Sequence, residues 1–537
     1  MAARLQTLDL VEQMKGKNTL NGWDVLVSYN EKQINDLLKV RTETVGTLSK
    51  MAFQTEEEML GKVDWAVELS NPKLSFIGTQ GRVRLLFDLA ALGTPESGKA
   101  WSCKPGFAVK METDLMNVRG SLSDTSKPAS AEFVAAPDAS QTAVRSNSVV
   151  QMTVPHGVCL DFDKALDVQV VSTKEPAEAV PFMAVLLNQR LREEIAKEGY
   201  KYYVAGLNNM YTPAAGATTV LTPKTFCFTT MAGNESTQTP GTLSMWIGLE
   251  GGEAGQRPSG QTSMTFHPAD NDVSPIPRDS SASVIFSHGV MARYIVSSLK
   301  AKGVYTDFSV TSNIHDVGIQ IKCRCNKKIT KDFSQYTVVA KYEFPAGFLQ
   351  EFYSNVNFDM KDDDTIFQFG KKDGWSHVDV SYMSGEQKLR WYRQHFQLAG
   401  VSPPESKELR LKFGHGGTGS WSDDRTPATK TPNLLKLAFK LDDKFHTKDP
   451  KVTEKVFFWD VDDAEAPQHY KNIEIGMPKI DFDMGGLDYF LTTNLLLPGA
   501  HLFIADDPTG KKGPNFGLFM PRDVILTGEV ATEIKGP

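Results

Sequence analysis

Alternation between apolar and polar residues recurs along most of this 537-residue chain. In residues 83–89 every second side chain is apolar, and residues 107–111, 158–162 and 319–325 follow the same period of two. Such a period places alternate side chains on opposite faces of a β-strand. The pattern predicts sheets with one apolar face and one face in water, which is typical of antiparallel strands.

Helical periodicity is limited to three places: the end of residues 21–38, residues 185–199 and residues 290–303. In these stretches apolar residues recur every three or four positions, which is the spacing of one face of an α-helix. Strand patterns far outnumber the helical ones. The predicted fold class is therefore α+β with mostly antiparallel β-structure.

A short pattern occurs twice, about 260 residues apart. Residues 25–28 and residues 284–287 each contain three apolar residues followed by a serine, and each copy leads into a helical stretch. Ser28 and Ser287 are well placed to cap these helices by accepting a hydrogen bond from a free backbone N–H. So short a match also fits two unrelated strand–helix transitions, and both interpretations stay open.

Each of these two helices has an apolar face. In the first helix this face comprises Ile34, Leu37 and Leu38. In the second helix it is broader and comprises Val290, Met291, Tyr294, Ile295 and Leu299. A helix with one apolar stripe packs that stripe against another element, here a sheet.

Charge and hydropathy exclude several classes of protein. The net charge is −7 and the charges are interspersed, so the chain lacks the basic stripe of a nucleic-acid-binding protein. No stretch approaches the roughly 20 apolar residues of a membrane span, and the first residues lack the apolar core of a signal peptide. Five scattered cysteines predict free thiols. We therefore expect a soluble, cytoplasmic protein that is not transmembrane, with export by a leaderless route left open.

Two motifs resemble a nucleotide site and a metal site, but neither meets the requirements of that chemistry. Residues 93–100, GTPESGKA, have the spacing of a phosphate-binding loop, but Ala100 replaces the Ser or Thr that ligates magnesium. A hairpin loop is the better interpretation. Cys323 and Cys325 continue the apolar face of their strand, so core packing is predicted for them. We find no catalytic constellation, cofactor site or metal site, and predict that the chain is not an enzyme.

Two irregular stretches divide the chain. Residues 119–148 are rich in Ser, Ala, Asp and Thr and predict a long loop. Residues 251–282 are rich in Gly, Pro and Ser and predict a linker between an N-terminal module, 1–250, and a C-terminal β-rich module, 283–537. The alternative for 251–282 is a long loop across one continuous body.

Several short motifs carry a resemblance to a known family. They are Gly22-Trp23-Asp24, the run at 275–287 that begins with Pro-Ile-Pro and ends with Ser-Val-Ile-Phe-Ser, and the segments 491–505 and 521–530. Together they resemble the OrfX-type accessory proteins of clostridial neurotoxin gene clusters and their forty-seven-kilodalton relatives, within the tubular lipid-binding (TULIP) superfamily. The resemblance spans most of the chain through short motifs. Residues 119–148 and 344–425 match nothing in it.

The resemblance implies elongated modules, each a bent sheet wrapped on a long helix, that hold a lipid or another hydrophobic molecule. It also implies protein partners in a toxin or secreted complex. The gap between helix and sheet needs no charged residue, since each methylene moved from water stabilises binding by about 0.8 kcal/mol. The candidate groove lining is Ile34, Leu37, Leu38, Val290, Met291, Tyr294, Ile295 and Leu299.

Two other functions stay open. The same helices and sheets can form a closed core without a ligand, in a β-rich structural or interaction protein. Aromatic residues in the second half also fit a carbohydrate-binding β-protein; they are Trp375, Trp391, Tyr392 and Trp421.

Overall fold

The structure is a computed structural model. It describes side chains over most of residues 4–324 and parts of 487–530, with longer gaps at 40–49, 125–130, 211–220, 256–272 (apart from Phe266) and 312–318. Between 325 and 483 it describes only the backbone of a set of strands. The chain divides into two compact units. The first comprises Met1–Met291, Asp423–Lys436 and Met484–Pro537, and the second comprises Ala292–Ser422 and Leu437–Asp483.

The described helices are α1 (Thr7–Met14), α2 (Glu31–Val45), α3 (Ala139–Thr142), α4 (Phe182–Ala196) and α5 (His288–Ala301). The strands of the first half are β1 (Val25–Asn30), β2 (Lys50–Glu57), β3 (Gly61–Phe76), β4 (Arg82–Pro95), β5 (Trp101–Ser102), β6 (Phe107–Leu122), β7 (Phe133–Ala135), β8 (Val144–Arg145), β9 (Val150–Gln151), β10 (His156–Ser172), β11 (Tyr203–Leu207), β12 (Pro223–Met231), β13 (Thr242–Leu249) and β14 (Ala282–Phe286).

The strands of the second half are β15 (Tyr305–Thr311), β16 (Ile319–Cys325), β17 (Lys328–Lys331), β18 (Leu349–Glu351), β19 (Val356–Asp359), β20 (Asp364–Phe369), β21 (His377–His395), β22 (Glu405–Asp423), β23 (Leu437–Leu441), β24 (Lys444–Val456), β25 (Trp459–Asp463), β26 (Glu474–Gly476), β27 (Ile480–Asp483), β28 (Leu495–Leu496), β29 (Leu502–Ala505), β30 (Leu518–Phe519) and β31 (Val524–Ala531). The strands pair in antiparallel fashion and far outnumber the helices, so the predicted α+β class is confirmed.

A ten-stranded sheet of the first unit has one buried and one exposed face. Its strand order is β2-β3-β4-β6-β10-β11-β28, with β5, β7 and β8 paired at its sides. Along β3 and β4 buried and exposed residues alternate almost without interruption. We call the buried side the inner face. The predicted alternation is therefore confirmed in this sheet, and helices that pack on it lie on the inner face.

An eight-stranded sheet of the first unit is buried on both faces. Its order is β29-β31-β14-β1-β13-β12-β9, with β30 beside β31. Every residue of β1, β13 and β14 is buried. A strand covered on both sides needs apolar residues on both sides, which explains why these strands contain consecutive apolar residues instead of alternation.

The two copies of the repeated pattern are neighbours in this sheet. β1 pairs with β14 in antiparallel register, so that Val27 lies opposite Val284. Asn30 follows Val27 by three residues and Ser287 follows Val284 by three residues, and each begins a helix. The pair is therefore arranged about a local two-fold axis between Val27 and Val284.

One of the two predicted helix caps is wrong. Ser287 Oγ accepts from the backbone N–H of Val290 at 3.3 Å, as predicted for α5. Ser28, however, lies inside β1, where its hydroxyl bonds to Ser244 Oγ at 2.8 Å. The cap of α2 is Asn30, whose Oδ1 accepts from Gln33 N at 3.1 Å. The two copies are therefore related with a shift of two residues, which leaves the strand faces unchanged because side chains alternate with a period of two.

One segment predicted as a loop contains more structure than expected. Within 119–148 the chain forms the end of β6, then β7, α3 and β8. In the second unit, the glycine-rich residues 415–421, HGGTGSW, are also extended. They lie inside the long strand β22, where Gly417 is opposite Val380 of β21. Glycine adopts extended backbone as readily as turns, so pairing along a long hairpin decided the conformation.

The second unit contains an eleven-stranded antiparallel sheet, with the order β15-β16-β20-β21-β22-β23-β27 and with β18, β24, β25 and β26 paired at its sides. It also contains a two-stranded sheet of β17 and β19. Cys323 on β16 is fully buried, as predicted. The side chain of Cys325 and those of Trp391, Tyr392 and Trp421 lie outside the described residues, as does Trp375 altogether. Carbohydrate binding by these aromatic residues stays a prediction.

Candidate functional site

All eight predicted lining residues lie in the protein interior. The most exposed of them, Leu38, is 4% exposed, and Ile34, Met291 and Ile295 are fully buried. Ile34, Leu37 and Leu38 share the buried face of α2, while the other five lie on α5. Their helical spacing was therefore a correct guide to burial. Contact with a ligand stays a prediction.

Side chains of α2 hold the free edge of β3. Asn35 Nδ2 donates to Leu74 O at 3.1 Å and Asn35 Oδ1 accepts from Leu74 N at 2.6 Å. One turn earlier, Glu31 Oε1 accepts from Phe76 N at 2.6 Å. Residues four apart lie on the same side of a helix, so both reach the same strand. These polar side chains replace the neighbouring strand that β3 lacks at this end, since β2 pairs only with Gly61–Glu68.

The same helix is also attached to the eight-stranded sheet. Gln33 Oε1 accepts from Val530 N of β31 at 2.7 Å. A buried tyrosine makes a second link between the sheets, since Tyr29 OH of β1 donates to Val204 O of β11 at 2.8 Å. α2 is therefore fixed between the two sheets of the first unit by hydrogen bonds on its polar side.

α5 begins at the other end of the β1–β14 pair. Because the two strands are antiparallel, the end of β14 lies beside the start of β1, whereas α2 starts where β1 ends. Asp523 Oδ1 accepts from His288 N at 3.1 Å at the start of α5. The boundary between the two compact units falls inside α5, after Met291. The two sets of predicted lining residues therefore start from opposite ends of the strand pair.

A second helix packs on the inner face of the ten-stranded sheet. α4 lies on β10, where Asn188 Oδ1 accepts from Val170 N at 2.8 Å. The residues that it buries are Ala184, Leu187, Leu191 and Ile195. The sequence predicts this helix, but it was not included in the candidate site. The helical spacing of apolar residues in 185–199 was the sequence signal that could have added this helix to the candidate site.

The inner face between these helices is apolar. α2 packs on β3 and α4 on β10, and the strands between them in the sheet order are β4 and β6. The inner-face residues of these two strands are Val83, Leu85, Phe87, Leu89, Ala91, Phe107, Val109 and Met111, and all are buried. Strands lie about 4.8 Å apart, so β3 and β10 are separated by about 14 Å along the sheet. α2 also contacts β11, the strand that follows β10 in the sheet order.

The Gly-Trp-Asp motif has a structural role. Gly22 has a φ of 77°, a left-handed conformation that glycine adopts without strain. Asp24 is buried and its Oδ2 accepts from Leu249 N at 2.8 Å. Gly252 lies so close that an added Cβ would sit 1.8 Å from the same carboxylate oxygen. The motif therefore fixes the turn that follows β13.

Two of the other three motifs of the resemblance join distant parts of the chain. Arg4 donates to Ser280 O at 2.7 Å and also to Ile276 O and Pro277 O, so the start of the chain holds the Pro-Ile-Pro turn. Near the C-terminus, Asn494 Nδ2 donates to Asn208 O at 2.8 Å. Both motifs therefore stabilise the first unit by linking segments that are far apart in sequence.

Burial shifts the pKa of several titratable groups, among them Glu31, Tyr29 and His156. Burial raises the pKa of Glu31 above its usual value, against the hydrogen bonds from Phe76 N and Gly241 N. Burial raises the pKa of Tyr29 well above its usual value, with a contribution from Tyr203. Burial lowers the pKa of His156 to about 4, and the charge of Arg119 acts in the same direction. These groups take part in structural hydrogen bonds and form no acid–base pair with one another.

In the described part of the chain, no cluster of three or more His, Cys, Asp or Glu residues could hold a metal ion. Over the same residues, no helix has the length and apolarity to cross a membrane. The cysteines with described side chains, Cys103, Cys159, Cys227 and Cys323, form no disulfide bond with one another.

Comparison with known proteins gives structural neighbours only. No family model matches the sequence, and no curated protein matches it. Solved structures do match. The chain is similar to P47 of Clostridium botulinum E1, which aligns with 95% of this chain and 99% of its own at 9% identity and a TM-score of 0.42. P47 from Clostridium botulinum A2 aligns with 95% of this chain and 98% of its own at 10% identity and a TM-score of 0.38. P47 is the forty-seven-kilodalton relative in the group that the sequence motifs resemble, so this predicted resemblance is confirmed.

Proposed function

We propose that this chain is a non-enzymatic protein that binds the acyl chain of a lipid, or another elongated hydrophobic molecule, on the inner face of its ten-stranded sheet. The ligand would lie over β4 and β6, between α2 and α4. The observation that carries the proposal is that α2 contacts β3 and α4 contacts β10, with the apolar inner faces of β4 and β6 between them in the sheet order.

The chemistry of this surface supports the same proposal. Every described inner-face residue of β4 between Val83 and Ala91 is apolar. A hydrocarbon needs no polar partner, and burial of each methylene contributes about 0.8 kcal/mol before the costs of ordering. By analogy with the P47 proteins that it resembles, the protein would act as an accessory component of a toxin or secreted complex.

A second candidate is an interaction protein with a closed core. It is favoured by the burial of all eight predicted lining residues. In that case side chains fill the space between α2 and α4. The two candidates predict opposite effects of adding volume to the inner face.

The test uses two neighbouring alanines on opposite faces of β4. Ala91 lies on the inner face and is 7% exposed, whereas Ala90 is exposed on the outer face. If the site binds an acyl chain, Ala91→Trp displaces about two methylenes, which lowers affinity roughly tenfold. Ala90→Trp is the matched control and should bind normally.

The measurements are native mass spectrometry of protein purified from cells and titration with a fluorescent fatty acid. We expect added lipid mass on the wild-type protein and on Ala90→Trp, and much less on Ala91→Trp. A wild-type protein without lipid mass and without fatty-acid binding would support the closed core. In that case Ala91→Trp should be destabilised by about 1–3 kcal/mol through overpacking.

A further inference from the structure

We propose that the chain forms a homodimer in which strand β2 pairs in antiparallel fashion with β2 of a second copy, centred on Phe53. This surface is separate from the lipid site proposed above. In the described part of the chain, β2 is the last strand of the ten-stranded sheet and pairs only with β3. Alternate residues of an edge strand direct their N–H and C=O groups away from the sheet, where another strand can bind them.

The inner face of the sheet continues onto β2 and is incompletely covered there. Phe53 lies opposite Trp65 of β3, and Met51 lies opposite Val67. Trp65 and Val67 are buried, but Met51 and Phe53 are only half-buried. A strand added beyond β2 would cover these two apolar side chains as β2 covers those of β3.

The charges of β2 identify a second copy of the same strand as the partner. Lys50 and Glu56 are both exposed on the outer face and lie near opposite ends of the strand. Charged residues on an edge strand normally oppose pairing. Here, an antiparallel copy centred on Phe53 places Lys50 opposite Glu56 of the other copy, twice by symmetry. These two charges are therefore complementary between the copies, and Glu57, the third charged residue of β2, lies beyond the paired segment 50–56.

The same register also matches the faces of the sheet. Directly opposite residues of an antiparallel pair point to the same side. With Phe53 at the centre, Phe53 lies opposite Phe53 of the other copy, and Met51 lies opposite Thr55, all on the inner face. On the outer face, Ala52 lies opposite Gln54. If the pairing were shifted by one residue, so that Phe53 lay opposite Gln54, inner-face residues would lie opposite outer-face residues. The face pattern therefore excludes that register.

Charge reversal tests the pairing. Sedimentation velocity of the full chain from about 1 to 100 μM should show a monomer–dimer equilibrium for the wild-type protein. Glu56→Lys replaces two attractive pairs with two repulsive ones, which should weaken the dimer about tenfold. The double variant Lys50→Glu with Glu56→Lys exchanges the charges and should restore the wild-type constant. Glu529→Lys, an exposed glutamate on β31 of the other sheet, is the matched control and should change nothing.

Cross-linking tests the register. At a dyad position, a cysteine lies within about 4.5–5.5 Å (Cα to Cα) of its own copy, which suits a disulfide. Phe53→Cys should therefore give an oxidised dimer, whereas Gln54→Cys, which lies opposite Ala52, should not. The wild-type protein gives the background from its own cysteines. A chain that stays monomeric throughout, a Glu56→Lys variant that dimerises like wild type, or a Gln54→Cys variant that cross-links in place of Phe53→Cys would each overturn the proposal.

Discussion

At the scale of single residues, Asp24 shows how one buried carboxylate can fix a turn. It accepts from Leu249 N at 2.8 Å and from Glu253 N at 3.4 Å. Asp24→Ala would leave buried backbone donors without an acceptor, which costs about 1–3 kcal/mol. Urea unfolding should show this loss, and the exposed Asp9→Ala variant on α1 should change stability by less than about 0.5 kcal/mol. Equal stability of the two variants would contradict the assigned role of Asp24.

His156 is the residue from which a pH dependence follows. Its Nδ1 lies 2.9 Å from Asn117 Oδ1, and burial lowers its pKa from 6.5 to about 4. The folded chain therefore binds fewer protons than the unfolded chain between these two values. The contribution of neutral His156 to the free energy of unfolding is complete above about pH 6.5 and is lost as the pH falls toward about 4.

His156→Gln keeps a polar side chain at this position and removes the titration. We expect the unfolding free energy of this variant to fall less steeply than that of the wild-type protein between about pH 6.5 and 4. The two slopes should differ by at most about 1.4 kcal/mol per pH unit. Urea unfolding curves at several pH values in this window provide the measurement. Identical slopes for the two proteins would show that His156 is not the responsible group.

At the scale of elements, the attachment of α2 to β3 depends on polar side chains. Asn35→Ala removes both hydrogen bonds to Leu74, while the exposed neighbour Asp36→Ala removes neither. We expect Asn35→Ala to lose about 1–3 kcal/mol of stability. Hydrogen exchange should show faster exchange of the Leu74 amide in this variant and not in Asp36→Ala. Unchanged protection of Leu74 would mean that the apolar face of α2 is sufficient to hold the helix.

At the scale of the whole molecule, the eight-stranded sheet joins the two halves of the sequence. β1 lies between β13, which ends at Leu249, and β14, which begins at Ala282, and β14 pairs with β31 near the C-terminus. A specific protease site inserted between Ser259 and Gly260 would cut within the predicted linker. We expect the two fragments to elute together in gel filtration, because the backbone pairing of β1 with β14 survives the cut.

The uncut insertion variant is the control for this experiment. Fragments that separate without denaturant would show that the modules predicted at 1–250 and 283–537 are independent. Residues 275–281 already differ from a simple linker, because Arg4 holds this turn against the start of the chain. The predicted division stays a prediction until such a cut is made.

The sequence by itself determined the period of the regularly patterned segments, and hence whether each of them is a strand or a helix. The alternation in residues 83–89 falls within β4, and the helical period in 185–199 falls within α4 except for its last residues. Burial of Ile34 and Ile295 followed from the same periodicity. These properties depend on residues a few positions apart, because a strand or helix places its side chains by its own geometry.

Only the tertiary structure decided which segments meet. The pairing of β1 with β14, the shift of the α2 cap from Ser28 to Asn30 and the bonds of Asn35 to Leu74 all depend on contacts absent from any local pattern. Asn35 is typical of an exposed helix residue by sequence, yet it completes a strand edge. The physical reason is that buried backbone N–H and C=O groups must find partners, and which side chain supplies them depends on how the chain is folded in space.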